Sequence, residues 1–134
     1  MCWIGLLKLE TAKEDIPITK VVRPSFDKNV YYPYYKTPTG VYEKGVKRYS
    51  KILSMESSVP PYCKVDVALH SYLPSKVFFR EGFTSILFYS KDSNLPIQRY
   101  DADEAKIVHG IIPKGASYCI NEYGEVVSNE LILY

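Results

Sequence analysis

Two stretches decide the fold: Lys106-Ile107-Val108-His109-Gly110-Ile111-Ile112-Pro113, and Val126-Val127-Ser128-Asn129-Glu130-Leu131-Ile132-Leu133-Tyr134. Both concentrate branched aliphatic residues, which suit a pleated, half-buried surface. Between them Gly115 and Gly124 mark places where the chain can turn. The pair predicts two strands of one sheet. Upstream, Ile16 to Val22 is β-branched, and its Pro17 suits a strand start or an open edge. Cys63 to Tyr72 alternates through Val65, Val67 and Leu69, as a strand with one buried face does. Tyr31-Tyr32-Pro33-Tyr34-Tyr35 reads as extended chain, because the residue before a proline avoids the helical region.

Helical signals are few. Ser75 to Lys91 places Phe79, Phe83, Ile86 and Leu87 at helical spacing, yet Gly82 would cost about 1 kcal/mol in a helix interior. Ile86-Leu87-Phe88-Tyr89 within it suits a strand equally, so residues 75–89 stay open between helix and strand. Asp101 to Ala105 carries acids where a helix start favours them and reads as one short turn. Prolines and glycines recur along the whole chain, leaving room for many short elements and few long helices. The expected architecture is a single α+β domain over residues 1–134, dominated by a mostly antiparallel β-sheet.

Of the 134 residues, 46% are hydrophobic and 24% charged, enough apolar surface to exclude intrinsic disorder. Net charge is +2, too mild a balance to signal a nucleic-acid or membrane partner. Thirteen tyrosines against 5 phenylalanines point to half-buried sheet faces, an interface, or a surface on which a base or peptide stacks. Cys2, Cys63 and Cys119 are odd in number and lack metal-ligand spacing, so free thiols, no metal site and a cytoplasmic setting are expected. The opening apolar run has no basic flank and is too short to span a bilayer. There is no phosphate loop, no dinucleotide-binding glycine fingerprint and no nucleophile elbow. The sequence stands out at His70-Ser71-Tyr72-Leu73-Pro74, where three polar side chains end a strand. Such residues either satisfy a turn or line a cleft.

Several segments carry a family resemblance: Met1 to Ile16, the strand after it, Leu69-His70-Ser71-Tyr72, and Ile111 to Tyr118 followed by Gly124 and Val127-Ser128-Asn129. They resemble a group of small uncharacterised proteins from bacteriophages and Bacteroides-type bacteria. That resemblance implies a phage or mobile-element origin and no established activity. A second set resembles the ADP-ribosyltransferase fold: Arg23 after the first β run, His70-Ser71-Tyr72 mid-chain, Ile112-Pro113-Lys114-Gly115-Ala116, and Glu130 opening an apolar strand. It implies Arg23 on the phosphates of NAD, Ser71 in support, and Glu130 as the catalytic carboxylate. The Ser-Thr-Ser strand of that family is missing, and Ser128 stands where many relatives carry a second acid or amide.

Three functions follow. The first is a non-catalytic accessory protein that needs no cofactor and binds a host protein or a small nucleotide-like ligand. Its candidate contacts are Arg23, His70, Ser71, Tyr72, Tyr32 and Tyr34. The second is an NAD-using enzyme in which Glu130 is catalytic. The third is a structural or assembly protein with a tyrosine-rich interface.

Overall fold

The computed structural model describes residues 8–34, 41–49, 52–56, 62–65, 69–91 and 95–134. The strands are, in chain order, β1 (Lys8–Thr11), β2 (Ile16–Arg23), β3 (Val30–Pro33), β4 (Tyr42–Glu43), β5 (Arg48–Tyr49), β6 (Ile52–Glu56), β7 (Tyr62–Val65) and β8 (Leu69–Tyr72). They continue as β9 (Val77–Glu81), β10 (Ser85–Ser90), β11 (Pro96–Asp101), β12 (Lys106–Ile112), β13 (Ser117–Ile120), β14 (Glu125–Ser128) and β15 (Glu130–Leu133). Every pairing among the described strands is antiparallel. The β-rich expectation holds. Its helical part does not, because no described residue is helical. Residues 75–89 form most of the β9–β10 hairpin: alternation of Ile86, Phe88 and Ser90 toward the buried side outweighs the helical spacing. The run from Val126 to Tyr134 is two strands broken at Asn129, and Cys63 to Tyr72 is divided between β7 and β8. Asp101 to Ala105 is a turn without helix.

The largest sheet runs β1-β13-β14-β8-β2-β12-β15-β5, with β3 on β2 and β4 on β3. Beside it lie the three-stranded sheet β11-β10-β9 and the hairpin β6-β7. Part of the large sheet closes on itself. From β2 the pairing goes one way through β12 and β15 to β5, and the other way through β3 to β4. A short turn joins β4 to β5, and its Gly45 N–H donates to the Leu133 carbonyl at 2.7 Å. The Tyr31 hydroxyl then donates to the Tyr134 carbonyl at 2.9 Å. Inside this ring sit Ile18, Val22, Tyr31, Tyr42, Val108, Ile112, Leu131 and Leu133, all buried in one cluster.

The other face of β2 and β8 packs on the three-stranded sheet. Val21, Tyr72, Val77, Ile86, Phe88 and Tyr100 form this second core. The split follows from the period of two, since Val22 enters the first core and Val21 the second. Pro17 faces Ile111 of β12, and its other edge has no strand partner, because β8 meets β2 only at Thr19. A proline without an N–H is tolerated there.

Cys119 is buried and disulfide-bonded, which corrects the expectation of free thiols. An odd cysteine count still permits one bridge, and composition alone could not reveal which residues the sheet brings together. Cys2 lies outside the described residues. Among the described residues no helix is long and apolar enough to cross a membrane.

Candidate functional site

The second core continues into a chain of aromatic contacts that gathers most of the residues singled out in the sequence. Arg23 ends β2, and its Nε donates to the Tyr34 carbonyl at 2.7 Å. Its guanidinium lies 5.3 Å from the centre of the Tyr34 ring and 3.5 Å from a Glu104 carboxylate oxygen. The Tyr34 ring meets Tyr100 edge-on at 4.8 Å, and its hydroxyl accepts the Asp101 N–H at 3.1 Å. The Tyr100 and Tyr72 hydroxyls share a hydrogen bond of 2.5 Å. Tyr72 stacks on Phe88 at 4.4 Å and takes His70 edge-on at 5.5 Å. His70 Nε2 stands 3.3 Å from a Glu125 carboxylate oxygen. Arg23, Tyr34, Tyr72 and His70 thus belong to one network, and its members hold one another. Tyr32 faces Arg23 across β2–β3 with its side chain exposed. Tyr35 is outside the described residues.

Ser71 and Glu130 stand elsewhere. Ser71 pairs with Val126 and points into the first core, on the opposite side of the sheet from His70 and Tyr72. Glu130 opens β15 opposite Tyr49. In register, Ile132 faces Ile111, which faces Pro17, so Glu130 lies beyond the start of β2 while Arg23 lies at its end. At about 3.3 Å per residue that separation is roughly 25 Å along the strand. Arg23, Ser71 and Glu130 share no cleft.

A cleft of about 280 Å³ opens where the three-stranded sheet leans on β2 and β12. Its walls include Phe78 and Phe79 of β9, Phe88 of β10, Thr19, His109, and Lys91. Thr19 and His109 are cross-strand partners, which sets their side chains together on the cleft side. Phe79 remains 44% exposed beside the buried Phe88, their ring centres 6.0 Å apart. Phe79 thus presents part of its ring to the same cleft that Lys91 lines. Phe88 is backed by Tyr72, so the aromatic network forms the floor behind the cleft. Sequence reasoning missed Phe78, Phe79, Lys91 and His109. The doubled Phe78-Phe79 was the available signal, because in a strand one of the two must face away from the core.

Charge is distributed unevenly between the two cores. Lys20 is buried inside the ring, where desolvation lowers its pKa to about 8. Its Nζ donates to the His70 carbonyl at 2.6 Å and lies 5.1 Å from the Tyr42 ring centre. Burial raises the Tyr42 phenol, and the Arg48 guanidinium opposes that rise. Among the described residues no group of three His, Cys, Asp or Glu side chains is placed to hold a metal ion.

Comparison with protein-family models, curated proteins and solved structures finds no match to this chain.

Proposed function

We propose that the chain is a small non-catalytic accessory protein, of phage or mobile-element type, that captures a flat anionic ligand of the nucleotide class in the cleft between its sheets. The observation that carries this reading is the exposed Phe79 ring at a cleft wall that also presents Lys91 and His109. An aromatic face accepts any base by stacking, at about 1–3 kcal/mol per base. A lysine beside it supplies a point charge for phosphate. Thr19 and His109 offer polar groups for orientation. An ADP-ribosyltransferase-like fold and activity would need Arg23, Ser71 and Glu130 around one NAD molecule, and their separation favours capture over turnover. The disulfide at Cys119 fits an oxidising compartment better than the cytoplasm.

Calorimetric titration with adenosine, AMP and NAD tests this. Phe79→Ala should weaken AMP by roughly 5- to 150-fold. Lys91→Glu should weaken AMP while sparing adenosine, and Arg23→Ala should leave both unchanged. No heat from any of the three compounds at millimolar concentration would remove this reading.

A further inference from the structure

Where β8 and β3 part along one edge of β2, three buried polar side chains lie on the first-core face. β2 bonds to β8 only at Thr19–Tyr72 and to β3 from Val22 onward, so Lys20 lies at the fork. The Thr19–Tyr72 pair sets Lys20 beside Ser71 in the next row. Lys20 is opposite Val108 and Ser71 opposite Val126, and both valines belong to the first core, so the two polar side chains share that face. Ser128 sits two residues from Val126 on β14, diagonal to Ser71. Lys20 is 7% exposed, and Ser71 and Ser128 are fully buried.

The hydrogen bonding here is incomplete. Neither the Ser71 Oγ nor the Ser128 Oγ has a partner. The Lys20 ammonium carries three N–H donors. One serves the His70 carbonyl. Buried hydroxyls and ammonium protons without acceptors are costly, and native interiors rarely keep them. Among the described residues no carboxylate is paired with Lys20: Glu10, further along the same face, accepts the Tyr118 hydroxyl at 2.8 Å. Nearby Tyr42 is flanked by a second cation, Arg48, at 5.4 Å. The fork therefore offers one positive charge and two hydroxyl donors in a buried setting, with no carboxylate of the described residues paired to that charge.

We propose that Lys20, Ser71 and Ser128 form a buried receptor for a small oxyanion, a carboxylate or phosphate group, admitted where β2 leaves β8. The ammonium meets the charge, and the serine hydroxyls take two of the remaining oxygen lone pairs. This site lies on the opposite face of the sheet from the aromatic cleft, and it stands or falls independently of it.

Thermal melts of the whole protein in chloride, acetate and phosphate salts, at equal ionic strength and pH 7, test the receptor. Acetate or phosphate at about 100 times its Kd should raise Tm by roughly 5–10 °C over chloride. A rise with phosphate alone assigns a phosphate-class group, and a rise with acetate alone assigns a carboxylate. Lys20→Met should abolish the rise and Ser71→Ala should reduce it, while Phe79→Ala leaves it intact. Should Lys20→Met not fold, the double variant Ser71→Ala/Ser128→Ala, which removes only two hydroxyls, gives the same reading. The NMR signal of the Lys20 Cε should titrate at higher pH when the anion is present. Equal Tm in all three salts, or a rise that persists in these variants, overturns the proposal.

Discussion

Lys20 is the residue at which fold and stability conflict. Its ammonium is held in a setting that lowers its pKa from 10.5 to about 8. The folded state therefore binds fewer protons than the unfolded chain between those values, and stability must rise with pH across that window. Without an anion, the burial of this charge at pH 7 costs about 3 kcal/mol. Urea unfolding at pH 7 and pH 10 should show the wild type gaining relative to Lys20→Met, whose stability lacks this dependence. A difference between the two proteins that stays constant with pH would refute the assignment. The residue scale is also where sequence reading was weakest. Arg23, Tyr34, Tyr72 and His70 were legible as a group, because strand ends and a tyrosine run converge on one sheet face. Lys20 was not, since a lysine within Ile16 to Val22 reads as an exposed position until the ring is seen to bury its side.

At the scale of elements, β12 and β15 approach each other closely at Gly110. A Cβ added at Gly110 would lie 2.3 Å from the Ile132 carbonyl oxygen and 2.9 Å from Leu133 Cδ2. Glycine is required by the approach of the neighbouring backbone. Gly110→Ala should push β15 outward and destabilise the protein by about 1–3 kcal/mol, the range seen for overpacked cores. Chemical denaturation would check it, and a loss below about 0.5 kcal/mol would mean the strands adjust freely. The existence of β12 and of a C-terminal β run was readable because their aliphatic content is dense and glycines punctuate the link. The β9–β10 hairpin was not, because Phe79, Phe83, Ile86 and Leu87 fit a helical spacing while Ile86, Phe88 and Ser90 fit a strand. Only the partner sheet decides between them.

For the whole molecule, sequence pattern gave an antiparallel, β-dominated chain and could not give its closure. Closure depends on Gly45 reaching Leu133 and on Tyr31 reaching Tyr134, pairings separated by most of the chain. No local signal encodes such distances. The bridge at Cys119 escaped for the same reason.

That closure has a consequence for how fast the protein folds. The ring's inner wall combines β2, β3 and β4 from the first third of the chain with β12 and β15 from its end. The first core therefore forms only when segments separated by most of the sequence come together. Folding should be slow for a domain of this size, with loop closure completed before the rewarding contacts form. Removing residues 130–134 should leave the remaining chain readily digested by protease in limited proteolysis, although among the described strands it loses β15 alone.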